Sequence, residues 1–188
     1  IRQGLFPQPP VSPPSWLPAT PYYLFVGGSE PRKRLEAAID CAERLADAAL
    51  VVVGHDWPDR SVAALTATWR GRHPCIHRSA VDEGELAALY AGCRALLYPT
   101  RMEGFGLPGL EVLRAGRPVV ASRLSALPET LGDHAIWHDF APLTDPADLR
   151  ARIDAWRPGV ALAAHLATCS WTTAGDSVAA VIARVAAE

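Results

Sequence analysis

The chain has 188 residues, 49% of them hydrophobic, which is enough for one full core or for one domain with tails. Eighteen basic against twenty acidic side chains leave a net charge of −2, so the electrostatic footprint of a nucleic-acid binder is missing. No apolar run reaches the length of a membrane span, and the first residues do not read as a signal peptide.

Seven of the 17 prolines fall within residues 1–21, "IRQGLFPQPPVSPPSWLPATP". Proline at that density, without alternation, favours an extended tether over a packed element. The chain opens at Ile1 and not at a methionine. We therefore expect a Pro-rich interdomain tether over 1–21 and one domain of a larger protein over 22–188. Short apolar runs then alternate with helical patterns. "YYLFV" (22–26), "ALVVVG" (49–54), "CIH" (75–77), "ALLYP" (95–99), "PVVAS" (118–122) and "AIW" (135–137) read as strands. Several are apolar on consecutive residues, as strands covered on both faces of a parallel sheet must be. Between the first two, Leu35, Ala38, Ile39, Ala42 and Leu45 recur at helical spacing. Asp82 with Glu85 signals a capping box ahead of Leu86, Leu89 and Tyr90. Pro108 suits the first turn of a helix and Gly116 its stop; Asp145-Pro146 opens another, and Ser170-Trp171 the last. This rhythm predicts an α/β fold, a doubly wound, Rossmann-like parallel sheet. The four cysteines, Cys41, Cys75, Cys93 and Cys169, are widely spaced without a CxxC pair. Three of them lie within otherwise apolar segments, which suits the reduced core thiols of a cytoplasmic protein and argues against a structural disulfide.

Ligands of such sheets bind in the loops at the carboxyl ends of the strands. "GGSEPRK", "GHDWPD", "HRSAVDE" and "TRMEGFG" are the four candidates. The last is the most informative. Gly104 and Gly106 let the chain turn sharply and let a ligand approach the backbone. The helix that starts near Pro108 turns its free N–H groups and positive dipole end toward the same space, which makes an anion site. Glu103 lies in the loop and Glu111 in the first turns of the helix, so both can border one pocket. A carboxylate accepts two hydrogen bonds side by side, which matches the vicinal hydroxyls of a ribose or a hexose. A diphosphate held between two sugars would be repelled by two acids unless cations stood close, and Arg32 and Lys33 are placed to supply them. Acids at helix starts and surface lysines or arginines are ordinarily structural. What favours a ligand here is that all four fall at strand ends on one side of the expected sheet.

Those residues also carry a family pattern. "EGFGLPGLEVLRAGRPVVAS" followed by "SALPETLGDHA" closely resembles the donor-binding domain of family 4 (group 1) glycosyltransferases, retaining enzymes of the GT-B fold. The resemblance runs from "YYLFVGGSEPRKRL" to "CSWTTAGDSVAAVI", about 160 residues, and its Glu-x7-Glu pattern around GFGLP is highly specific. It implies that Glu103 contacts the donor sugar near the reacting centre and is the catalytic residue. It implies further that Glu111 holds the ribose hydroxyls, and that backbone around Gly104, Phe105, Gly106 and Leu107 holds sugar and phosphate. Lys33, with Arg32 beside it, falls at the family's diphosphate-binding cation. Two departures stand out. Many relatives carry an arginine where this chain has Gly28 or Ser29, and Arg78 stands where a glycine is usual, near the expected base pocket.

His134, His138 and Asp139 do not add up to a metal site, because Ile136-Trp137 reads as a strand and sets the imidazoles apart. No Asp-x-Asp occurs, so no metal and no cofactor is expected, and a helix terminus with Lys33 is expected to hold the diphosphate. His55 reads as a loop histidine, and no serine or cysteine nucleophile has a paired histidine. The expected partners are a nucleotide-sugar donor and an N-terminal GT-B domain of the same protein, with any membrane association arising there. The alternatives are a non-catalytic nucleotide-sugar-binding or regulatory domain, or another GT-B enzyme such as a sugar-nucleotide epimerase.

Overall fold

Six strands pair side by side and all in parallel, β1 Tyr22–Val26, β2 Ala49–Val53, β3 Cys75–Arg78, β4 Ala95–Tyr98, β5 Val119–Ala121 and β6 Ile136–Trp137, in the order β3-β2-β1-β4-β5-β6. The computed structural model of the protein describes residue 5, residues 12–141 and residues 145–185. All five residues of β2 are buried, as are all four of β4, because helices cover both faces of the sheet. One core cluster gathers Leu24, Val51, Leu96 and Val119, the other Tyr23, Leu50, Leu97 and Val120, as the period-two alternation of the strands requires.

The helices are α1 Leu35–Leu45, α2 Val62–Thr66, α3 Glu83–Gly92, α4 Leu107–Arg114, α5 Leu127–Leu131, α6 Pro146–Ala155, α7 Val160–Ala167 and α8 Trp171–Val185. α1 buries the predicted stripe Leu35, Ala38, Ile39, Ala42 and Leu45. Asp82 and Glu85 form the capping box of α3, with Glu85 N donating to Asp82 Oδ1 at 2.8 Å and Asp82 N to Glu85 Oε2 at 3.2 Å. Gly116 ends α4 at φ +73°, its N–H bonded to Leu113 O at 3.0 Å. Asp145 caps α6, accepting from Ala147 N and Asp148 N. The sequence reading omitted the short helices α2 and α5, and also α7.

Residues 12–21 contain neither helix nor strand, while positions 1–4 and 6–11 of the Pro-rich stretch lie outside the described residues. Proline density explains the irregular backbone, but the segment is not detached. Leu5, Trp16 and Leu17 pack on the core, and Leu5 N donates to Cys169 O at 2.9 Å. The cysteines are free thiols. Burial pushes Cys41 and Cys93 up to about 12 and Cys75 to about 11, which keeps these thiols protonated and unreactive. Among the described residues no helix is long and apolar enough to cross a membrane.

Candidate active site

Strand order fixes where the site lies. The chain steps from β1 outward to β2 and β3, then crosses back to place β4 on the other flank of β1. The connections after β1 and β4 therefore leave toward opposite faces of the sheet, α1 packing on one core cluster and α4 on the other, and this reversal is where doubly wound sheets bind their ligands.

The β1 loop is set by close backbone approach. At Gly28, φ is +64°, and a Cβ would come within 2.1 Å of His55 O. Ser29 is fully buried; its Oγ donates to Arg60 O at 2.5 Å and accepts from Trp57 N at 2.7 Å. Neither position has room to present an arginine to a phosphate, which accounts physically for that departure from the family pattern. The loop then winds into a 3-10 turn, Pro31–Lys33, and Arg34 at φ 57° starts α1.

That turn meets the β4 loop directly. Arg101 N donates to Arg32 O at 2.8 Å, Thr100 Oγ1 to the same carbonyl at 3.2 Å, and Arg32 Nη1 to Met102 O at 2.8 Å. The contact delivers Lys33 and Arg32 to Glu103. Lys33 Nζ lies 2.5 Å from Glu103 Oε1, and Arg32 Nη1 3.5 Å from Oε2. Lys33 and Glu103 side chains are 12% and 9% exposed, so water screens the pair weakly. Arg32 also pairs with Glu30 at 2.5 Å, the main cause of its raised pKa. Beneath them lies Tyr98, whose ring centroid is 5.9 Å from Lys33 Nζ. Its hydroxyl is held well above the usual phenol range, first by burial and then by the charge of Glu103. Ser125 fixes the Glu103 backbone from the far side, accepting from its N–H at 3.2 Å and donating to its carbonyl at 2.9 Å.

The two motif glycines have different reasons. Gly106 sits at φ +91° as the N-cap of α4, and a Cβ there would press to 2.5 Å from Leu127 Cδ2 on α5. Gly104 is exposed and faces open space. Phe105 packs against the core. No side chain caps α4, whose first turn runs through Leu107 and Pro108. Glu111, half-buried on α4, receives a hydrogen bond from Tyr90 of α3. Burial raises its pKa, against the hydrogen bond from Tyr90 and the charge of Arg114. The two glutamates thus belong to separate clusters, one tied to the β1 loop and one to α3.

Arg78, at the end of β3, stacks its guanidinium 4.6 Å from the Trp16 ring centroid, and Trp16 Nε1 donates to Glu85 at 3.1 Å. Trp16 of the irregular N-terminal segment therefore packs over the carboxyl end of β3, beside α3. His138 Nδ1 accepts from Phe140 N at 2.9 Å, whereas the His134 ring stands 5.0 Å from that of His165. Among the described residues no cluster of three or more His, Cys, Asp or Glu could hold a metal ion. Sequence reasoning missed Tyr98, Tyr90 and Ser125. Tyr98 and Tyr90 were visible only as strand and helix residues, and nothing in the spacing pairs Ser125 with Glu103.

Residues 20–156 match the family model of the glycosyl transferases group 1. The chain belongs to that family. It is 32% identical to the O-antigen chain mannosyltransferase B of Escherichia coli over 136 residues, 69% of this chain and 34% of that protein. It is 42% identical over 75 residues to the MMP alpha-(1->4)-mannosyltransferase of Mycolicibacterium hassiacum, 39% of this chain and 18% of that protein. Among solved structures, the sucrose-phosphate synthase of Thermosynechococcus elongatus superposes with a TM-score of 0.70 at 22% identity, over 91% of this chain and 47% of that one. The α,α-trehalose 6-phosphate synthase of Burkholderia multivorans does so with a TM-score of 0.70 at 15% identity, over 89% and 43%. This glycosyltransferase chain has the Rossmann-like parallel sheet of the GT-B neighbours. It spans about a third of the first curated relative and under half of either solved chain.

Proposed function

We propose that this glycosyltransferase chain is the donor-binding half of a retaining enzyme that takes a nucleotide-diphosphate sugar and glycosylates an acceptor held by a further, N-terminal domain. The observation that carries the reading is the Lys33–Glu103–Arg32 cluster at the switch point of the sheet, beside the uncapped start of α4. In the reaction the bond from the anomeric carbon to the diphosphate breaks, a bond to the acceptor oxygen forms as that hydroxyl loses its proton, and the proton leaves with the nucleotide diphosphate. Negative charge grows on the departing phosphate. Lys33, Arg32 and the N–H groups of residues 105–107 supply fixed positive partners without a metal. Glu103, held by those cations and by Ser125, receives hydroxyls of the transferred sugar. Glu111 accepts from the vicinal hydroxyls of the ribose. The mannosyltransferases among the relatives favour a hexose donor.

The ion pair refines the division of labour. Glu103 and a diphosphate compete for Lys33, so Glu103→Gln releases the cation. Bare nucleotide diphosphate is expected to bind that variant as tightly as the parent or more tightly, while nucleotide-sugar binds more weakly. Glu111→Gln is expected to weaken both ligands alike. Calorimetric titration with UDP, GDP and ADP and their hexose conjugates makes the comparison. Loss of bare-nucleotide binding in Glu103→Gln would contradict this assignment. Tight nucleotide-sugar binding by the complete protein without transfer to any acceptor would instead point to a regulatory domain.

A further inference from the structure

Glu103 has a second neighbour besides the β1 loop. Residues 122–124, after β5, and Trp137 of β6 with residues 138–139 after it bound a cleft of about 510 Å³ lined by Ser122, Arg123, Leu124, Trp137, His138 and Asp139. Because β5 and β6 are neighbouring parallel strands, the cleft opens at the same end of the sheet as Glu103. Ser125, one residue past Leu124, grips both backbone groups of Glu103, so the segment that lines the cleft continues directly into the contact that holds that acid.

Its lining is mixed in a particular way. The Arg123 guanidinium stands 5.7 Å from the Trp137 ring centroid, and Leu124 is 46% exposed beside it. Ser122 is 1% exposed, and its hydroxyl has no hydrogen-bond partner among the described residues. A buried hydroxyl left unpaired costs free energy until a ligand or water satisfies it. His138 Nδ1 accepts from Phe140 N at 2.9 Å, which leaves the ring proton on Nε2 as a donor. Burial and the charge of Arg152 lower the pKa of that imidazole, against the opposing charge of Asp139. One Asp139 oxygen already accepts from Ala141 N at 2.9 Å.

A pyranose ring has the matching make-up: an apolar face of C–H groups and a rim of hydroxyls, each both donor and acceptor. Trp137 and Leu124 offer the apolar wall, Arg123 and His138 Nε2 the donors, Asp139 an acceptor, and Ser122 either role. A wholly apolar ligand would leave Ser122 and Arg123 without partners, and an anion would meet Asp139. The volume is within the usual range for small-molecule sites, roughly 300–1,000 Å³. We infer that this cleft is a second saccharide subsite, which seats next to Glu103 one neutral pyranose unit of the acceptor whose remainder the N-terminal domain holds. Sugar binding there stands on the cleft alone, and the sugar's belonging to the acceptor rests on the proposed donor role of Glu103.

The test is an NMR titration of the ¹⁵N-labelled chain, with the Trp137 indole resonance identified by its loss in Trp137→Phe. Methyl α-mannopyranoside and methyl α-glucopyranoside are the probes. At least one is expected to move the Trp137 indole saturably, Arg123→Ala to raise its Kd by about tenfold, and Arg123→Gln to fall between. Melting curves of each variant show that the fold is retained. UDP, GDP and ADP are expected to leave the Trp137 indole in place. No shift with either pyranoside, an unchanged Kd in Arg123→Ala, or a Trp137 shift driven by the nucleotides would each overturn the subsite. Failure of every nucleotide to bind anywhere would overturn the donor reading while leaving a pyranoside shift at Trp137 intact.

Discussion

Lys33 and Glu103 are each largely removed from water, and each compensates the other. Removing one partner of such a pair leaves a charge that must find water or another counter-ion. Arg32, 3.5 Å from the second Glu103 oxygen, limits that penalty. Lys33→Ala is therefore expected to lower stability by about 1–3 kcal/mol at neutral pH, read from urea unfolding curves. Lys33→Ala combined with Glu103→Gln is expected to cost less than Lys33→Ala alone, because no orphaned carboxylate remains. If the double variant is as unstable as the sum of the singles, the pair does not couple. Glu111 gives the opposite sign. Burial raises its pKa, so the folded chain binds its proton more readily than the unfolded chain does. Its ionisation thus weakens the fold as pH climbs from the ordinary carboxylate value through the raised one. Glu111→Gln, which can still accept from Tyr90, is expected to stabilise the empty chain at pH 7 and to flatten that decline. Equal unfolding curves for parent and variant from acid to neutral pH would rule this out. A residue that costs stability when empty is expected to be retained for its ligand, which links this curve to the nucleotide titration.

At the scale of elements, the β4 loop and α4 work as one unit wedged against α5. Gly106 carries two constraints together, its φ of +91° and the Leu127 methyl that a Cβ would strike at 2.5 Å. Gly106→Ala is expected to destabilise by about 1–3 kcal/mol. Gly104→Ala points into open space and is expected to stay within about 0.5 kcal/mol of the parent. Any loss of nucleotide binding in Gly104→Ala then reports on the ligand's approach and not on the fold. Similar melting temperatures for both variants would refute the distinction. The strands were readable from sequence because five apolar residues in a row, as in β2, satisfy only a sheet covered on two faces. α1 and α3 were readable from stripe and capping box. α2 and α5 have five residues each, too few for a helical period to emerge, although Ser61 accepting from Ala64 N at 3.4 Å is an N-cap signal that was there to find. The site was legible where single residues sit at strand ends, as Lys33 and Glu103 do. It was illegible where function depends on which side chains lie beneath them: Tyr98 under Glu103 and Tyr90 under Glu111 follow from register and helix packing, and no spacing rule encodes those.

The whole molecule makes its loops report on its stability. β1 pairs with β2 on one side and β4 on the other, so the two loops that build the candidate site hang from the centre of one sheet with a core cluster on each face. A ligand bridging those loops binds only when that centre is formed, and its binding energy adds to unfolding free energy by mass action. At a free concentration one hundred times its Kd, a nucleotide diphosphate is expected to add about 2.7 kcal/mol. For a chain of this length that is roughly 5–11 °C in melting temperature. On the proposed reading the cationic partners of the diphosphate are covalently held groups, Lys33, Arg32 and the start of α4. The same shift is therefore expected in EDTA. Raising the salt concentration is expected to shrink it only modestly, because Lys33 and Glu103 are shielded from solvent. Lys33→Ala is expected to reduce the shift beyond what its own lower starting temperature explains. Loss of the shift on chelation, restored by Mg²⁺ or Mn²⁺, would mean that a metal and not Lys33 carries the diphosphate.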